Sequence, residues 1–214
     1  MSLKLDHIFI ITEPGAAVGD QLVQKGLREG PANRHPGQGT ANRRFYFNGF
    51  VLEFLFVADA AEARNGAGRD LGIWQRSQTA AASPYGLVVR VEDTGAEPTF
   101  KHWCYYPDYF NGKMCFFVGD NSSLLSEPLC ICMPPALPEK PVADTAEYNN
   151  DRSLTGAKLS SPVAALSPVL KDFARIPNLS LQSGMPHHLE LEFNHATNAQ
   201  SADLRPELPL SLRW

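Results

Sequence analysis

The chain has 214 residues, 43% hydrophobic and 20% charged, with 19 Lys and Arg against 23 Asp and Glu for a formal charge of −4. That is enough ordinary globular chain for one large domain or two small ones built as a unit. No apolar run approaches the roughly 20 residues of a membrane-spanning helix, and no basic stripe could replace the counterions of a phosphate backbone. Neither a membrane nor a nucleic acid is therefore expected as a partner. The cysteines, Cys104, Cys115, Cys130 and Cys132, sit in a chain too long to need staples and without a cationic-then-apolar leader, which points to reduced thiols and a cytoplasmic location. Cys130 and Cys132, two apart, share one side of a strand, a spacing unlike Cys-x-x-Cys, and read as buried thiols.

In chain order, Leu5-Asp6-His7-Ile8-Phe9-Ile10-Ile11 is a buried strand ended by Thr12-Glu13-Pro14-Gly15. Val18, Leu22, Val23 and Leu27 then share a helical face between Gly15 and Leu27, with Gly26 where helices commonly stop. Glu29 to Thr40, rich in Pro and Gly, has room for a short strand and a loop. Thr40 to Phe47, Asn48-Gly49 and Phe50 to Val57 form a hairpin, for which Asn-Gly predicts a type I′ turn. Phe47 should then oppose Phe50, and counting outward Arg44 faces Glu53.

Residues 58–83 read as helical or irregular connections anchored by Trp74. Strands at Pro84 to Val91 and Pro128 to Met133 bracket an aromatic segment with Trp103, Tyr105, Tyr106, Tyr109, Phe110, Phe116 and Phe117, which could line a pocket. Pro134 to Asn150 is an exposed connector. The first pattern then returns: a strand at Leu154 to Leu159, a helix with Val163, Leu166, Leu170 and Phe173 on one face, and strands at Leu179 to Gln182, His187 to Phe193 and Leu208 to Trp214. A repeated unit matters because each open sheet needs a partner to complete its core.

Two copies of strand-helix-strand-strand-strand, the first opening on Leu5-Asp6-His7 and closing on a strand with Leu52-Glu53, resemble the vicinal oxygen chelate superfamily, the glyoxalase, bleomycin-resistance and dioxygenase fold. Leu5-Asp6-His7, His35-Pro36-Gly37-Gln38-Gly39-Thr40-Ala41-Asn42 and Phe50-Val51-Leu52-Glu53-Phe54-Leu55 look more narrowly like its glyoxalase-like domain subgroup. The resemblance implies an α+β protein of two paired βαβββ modules forming a cup. The first module would span 3–57 and a second, degenerate one 153–214, with 58–152 an intervening elaboration of extra strands and aromatic residues. In that superfamily the metal ligands come from the first and last strands of each module, which implies a divalent metal cation held by His7 and Glu53. The first strand of the second module holds no His, Asp or Glu, and its last offers only Glu207 at its start.

Each candidate has a structural alternative. His7 alternates onto the face of Leu5, Phe9 and Ile11, as a lone core histidine or as a metal or substrate contact. Glu53 lies in a strand apolar on both faces and must be paired, coordinated or neutralised; it is either a metal ligand and the catalytic carboxylate, or the partner of Arg44, which could equally orient it. His188, Glu190 and Glu192 share one strand face that is either solvent or cup. If it is the cup, His188 and Glu190 are the second module's metal candidates, with Arg213 and Ser211 as anchors for an anionic substrate. The loop from Arg34 to Asn42 is either structural or presents N–H groups to an anion, with His35 and Asn42 as substrate contacts.

The function expected is small-molecule binding in the cup, with a divalent metal supporting isomerase, lyase or dioxygenase chemistry through an enolate-like or chelated intermediate. The competing reading is a metal-free binding protein whose aromatic segment encloses a ligand without reaction. The expected partner is a small molecule, and a homodimer through another surface is possible.

Overall fold

The computed structural model describes residues 2–92, 96–111, 113–133 and 148–214. β1 (Leu3–Ile11) leads through α1 (Gly19–Gln24) to the short β2 (Glu29–Gly30) and β3 (Arg34–His35), then to β4 (Thr40–Asn48) and β5 (Phe50–Val57). α1 is shorter than the Gly15–Leu27 periodicity suggests. Gly15 and Ala16 take positive φ, which breaks the first turn, and Gly26 at φ +86 ends the helix while Leu27 N–H reaches back to Leu22 O.

The β4–β5 hairpin has the expected register, Phe47 opposite Phe50 and Arg44 opposite Glu53. Its turn differs from type I′, because only Gly49 takes a positive φ, +70. Asn48 pairs with Ser153 and donates Nδ2 to Ser153 Oγ at 2.9 Å, and that contact holds it with the strand.

α2 (Ala60–Asn65) and α3 (Ile73–Ser77) cross to β6 (Tyr85–Val91), followed by β7 (His102–Tyr105), β8 (Phe116–Gly119) and β9 (Leu129–Cys132). Trp74 is not the main anchor of this connection: it is half-buried under Arg64, 5.1 Å from its ring, while Leu71, Ile73 and Arg76 are buried. The expected connector falls almost wholly on residues 134–147, outside the described residues. The chain resumes in β10 (Asn149–Ser161), α4 (Pro168–Phe173), β11 (Leu179–Ser183), β12 (His188–Phe193), β13 (Ser201–Asp203) and β14 (Leu210–Arg213). The fold is α+β, with few helices on a large curled sheet.

The pairing within that sheet shows where the repeat falls. β1 lies parallel to β5, β5 antiparallel to β4, and β4 carries β2 and β3. The same order recurs in β6, β9, β8 and β7, with β6 parallel to β9 and the remaining pairs antiparallel. The two copies meet through antiparallel β1 and β6. The second copy therefore occupies 85–132, within the stretch expected to be an elaboration, and the described residues between β6 and β7 hold no helix.

Residues 153–214 have the expected elements but another order, since β10 pairs with β11 on one side and β12 on the other, and β12 continues to β14 and β13. Hydrophobic period identifies strands but not their partners, so a similar element string conceals a different topology.

Two cores lie on opposite faces of the N-terminal strands. On one face Ile8, Ile10, Leu52, Phe54, Leu87, Val89, Cys130 and Cys132 join Leu159, Leu189, Leu191, Phe193 and Leu212 from the C-terminal strands. Asn149 fastens this junction, donating to Arg28 O at 2.9 Å and Tyr46 O at 3.0 Å, beside Phe193 stacked on Phe47 at 4.1 Å. The other face holds Phe9, Ile11, Leu55, Val88, Tyr105, Val118, Leu129 and Ile131, with Leu71 and Ile73 packed against them. Cys130 and Cys132 are buried together as expected, and burial pushes the Cys132 thiol up to about 12.

Candidate functional site

The site begins with an irregularity in β1. Its register against β6 shifts between Leu5 and His7, so Asp6 is an extra residue in the ladder. Strict alternation would place Leu5 with His7, Phe9 and Ile11. The bulge instead sends Leu5 into the core of Ile8 and Ile10, and leaves Asp6 and His7 as neighbouring polar groups.

A polar chain then crosses four strands. Arg90 on β6 donates Nε to Asp6 Oδ2, and Asp6 Oδ1 lies 2.7 Å from His7 Nδ1. His7 Nε2 lies 3.7 Å from Glu53 Oε2 on β5, and Glu53 Oε1 accepts from Asn42 Nδ2 on β4. Asn42 Oδ1 in turn accepts Asn33 N–H at 2.6 Å.

The electrostatics follow from this chain. Burial raises the Asp6 carboxyl, but the hydrogen bond and charge of His7, with Arg90, outweigh it and hold Asp6 at about 2. Burial works against the His7 imidazolium, yet the Asp6 hydrogen bond and the charges of Asp6 and Glu53 raise His7 above its ordinary value. Glu53 is only 8% exposed. The ion pair expected with Arg44 is not among the contacts of the described residues: Arg44 donates Nε to Pro31 O at 2.8 Å and lies over the Tyr46 ring. Register puts Arg44 and Glu53 opposite each other, but the long guanidinium stem reaches away along the strand surface.

The loop before β4 completes the surroundings. His35 accepts or donates at Nδ1 with Thr40 Oγ1 at 2.9 Å, and its ring lies 5.4 Å from that of Tyr109. Burial lowers the His35 pKa, opposed by the Glu53 charge and reinforced by Arg44. Tyr109 is raised well above the ordinary phenol value, first by burial and then by Tyr105 and Glu53. The loop is structural rather than an anion cradle. Gly37 N–H is already bound to Glu62 Oε1 at 2.7 Å, and a Cβ on Gly37 would strike the Asp108 carboxylate.

The structure thus gathers His7, His35, Asn42, Arg44 and Glu53 into one neighbourhood and leaves the other candidates elsewhere. His188 and Glu190 are on β12, separated from β1 by β10, β4 and β5. His188 Nε2 meets Ser211 Oγ at 3.0 Å, Glu190 pairs with Lys158, and Arg213 pairs with Glu192 at 3.1 Å. They are not in the cup because their strands belong to the differently ordered unit. Asp6 and Arg90 are neighbours of the site that sequence reasoning misses, while Tyr109 comes from the aromatic segment read as a pocket lining. The Leu-Asp-His string places Asp6 beside His7, but alternation sets it on the opposite face.

Residues 5–104 match the family model for a glyoxalase-like domain, within the vicinal oxygen chelate superfamily. A crystal structure of a hypothetical protein from Staphylococcus aureus superposes with a TM-score of 0.56 at 13% identity, covering 100% of this chain and 99% of that one. At that identity the likeness concerns the fold alone. No curated protein matches the chain.

Superfamily members often use divalent metals, and the donor set can be weighed against that chemistry. His7 and Glu53 supply two converging donors. The equivalent strands of the second copy, β6 and β9, turn Val88, Leu129 and Ile131 to this face, and the Phe9 ring lies where a Gly86 side chain would be. Arg90, the charged residue there, is itself a cation. Among the described residues no three His, Cys, Asp or Glu converge as metal ligands. A zinc ion held by a protein generally takes three or four of its side chains. The residues present therefore do not fit a four-residue chelate.

Proposed function

We propose that the chain is a glyoxalase-like protein that binds a small polar molecule at the His7–Glu53 couple without a four-residue metal chelate. The observation carrying this reading is the buried Glu53 carboxylate, which has Asn42 and His7 as its partners while Arg44, opposite in register, is turned to Pro31 O. Glu53 takes its neutralising cation from His7 rather than from an arginine, at 3.7 Å, longer than a direct hydrogen bond, and His7 is held from behind by Asp6 and Arg90.

Such a couple suits a ligand that offers a hydroxyl or an acidic C–H to Glu53 and an oxygen to His7. Proton abstraction beside a carbonyl is the reaction class this arrangement supports, with Glu53 receiving the proton and the His7 imidazolium facing the developing oxyanion. Asn42 and His35 would position the ligand, and Arg44 would meet an anionic end.

A thermal-shift and calorimetric survey of small hydroxy and oxo acids, run in chelator, tests the reading. The parent protein should bind a member of the set, and Glu53→Gln should weaken that binding at least about tenfold, the loss of one charged hydrogen bond. Binding that Glu53→Gln and His7→Gln leave unchanged would place the ligand site elsewhere.

A further inference from the structure

The C-terminal strands share their core with the N-terminal ones and leave a second face outside it. Leu22 of α1 and Val169, Leu170 and Phe173 of α4 pack into one core, with Ala157 and Leu159 of β10, Leu189 and Leu191 of β12 and Leu210 and Leu212 of β14. On β5 the face turned away from that core carries Glu53 beside Leu55. On the C-terminal strands the corresponding face carries Lys158, Glu190, Glu192, Ser211 and Arg213, which alternate with the buried residues.

Register sets these side chains in two rows. Ser180, Lys158, Glu190 and Ser211 lie opposite one another across β11, β10, β12 and β14, and Gly156, Glu192 and Arg213 form the next row. A groove of about 330 Å³ opens over them, with Gly156 and Lys158 in its floor, Asn178 and Ser180 along one side and Glu190, Glu192 and Arg213 along the other.

Gly156 is what opens the groove. Its φ is not positive, and among the described residues a Cβ built there would have only Glu192 Cβ within 4 Å, at 3.7 Å, so neither the backbone nor a close neighbour requires a glycine. Glycine within a strand often marks a place that another group approaches closely. The charges beside it are incompletely paired. Lys158 Nζ stands 3.8 Å from Glu190 Oε1, too far for a hydrogen bond, and both side chains are exposed, whereas Glu192 accepts from Arg213 at 3.1 Å.

We infer that this groove binds the zwitterion of a free α-amino acid, its carboxylate on Lys158, its ammonium on Glu190 and its side chain over Gly156. Such a molecule carries both charges at about the spacing of the Lys158–Glu190 pair, so it turns each to its opposite and adds the charged hydrogen bonds that the protein pair does not make. Asn178 and Ser180 supply neutral hydrogen-bonding groups at the rim, and the Arg213–Glu192 pair closes the far side. An ion of one sign gains less, because the charge it seeks stands beside one that repels it. The groove is open to solvent, so the binding is weak and falls with added salt.

The full-length protein, isotope-labelled, is titrated at low ionic strength with L-alanine, and separately with acetate and with methylammonium, while backbone amide shifts are followed by NMR. L-Alanine should shift the amides of residues 156–158, 178–180 and 190–192 saturably, and neither single-charge ion should do so. Gly156→Val, whose side chain fills the floor of the groove, should remove these shifts while the rest of the spectrum stays that of the folded parent. Lys158→Gln should weaken the binding at least about threefold, the scale of an exposed ion pair. A parent without saturable shifts, shifts that acetate or methylammonium reproduce, or shifts that survive both substitutions would overturn the assignment. Glu53→Gln should leave the alanine titration unchanged, so this test and that of the Glu53 site fail or succeed separately.

Discussion

At the scale of single residues, the account centres on one histidine between two carboxylates. His7 binds its proton more tightly in the folded chain than its ordinary value of 6.5. Its contribution to stability is therefore complete below that value and is lost as the pH rises through the higher folded one. Asp6 has the opposite sign: its contribution is complete above 3.8 and is lost as the pH falls through about 2. Titrating the His7 ring by NMR should show an elevated midpoint in the parent. In Asp6→Asn the midpoint should fall, because burial then acts against the imidazolium with only Glu53 in support. An unchanged midpoint would remove Asp6 from the couple. The residue types at this site are legible from the sequence, since Glu53 in an apolar strand demands a partner. Which partner it has is not. Arg44 and Asn42 alternate onto the same face of β4, and only the side-chain paths separate them.

At the scale of elements, the β4–β5 hairpin and the β1 bulge mark the limits of local reasoning. Asn-Gly between two apolar runs sets the hairpin register through Phe47 and Phe50, even though the turn adopts another type. The bulge has no comparable residue signature. It depends on how β1 meets β6, a strand remote in sequence, and it moves Leu5 and Asp6 to the faces opposite to those alternation assigns. Contact between those strands is close at Gly86, where an added Cβ would lie 2.0 Å from the Phe9 ring. Gly86→Ala should accordingly destabilise the protein by about 1–3 kcal/mol in urea unfolding, the usual cost of overpacking. Combining it with Phe9→Leu should recover part of that loss. If Gly86→Ala costs the same with and without Phe9→Leu, the ring is not what the glycine accommodates.

At the scale of the molecule, strand, helix and turn content over both halves is readable, while the location of the second repeat is not. The 153–214 segment has a strand-helix-strand-strand pattern close to that of 3–57, and the true second copy at 85–132 lacks a helix between its first two strands among the described residues. Pairing order separates them, and that order also explains the incomplete donor set. The strands symmetric to β1 and β5 are β6 and β9, whose inner faces are apolar apart from Arg90, and His188 and Glu190 belong to a unit that joins the sheet beyond β4.

Metal content, measured by mass spectrometry on parent and Glu53→Gln proteins purified without chelator and then offered divalent ions, addresses the central claim most directly. The account predicts less than one equivalent of any divalent metal in either protein, before or after loading. One equivalent in the parent that disappears in Glu53→Gln would contradict it, and would make His7 and Glu53 half of a metal shell completed by other groups.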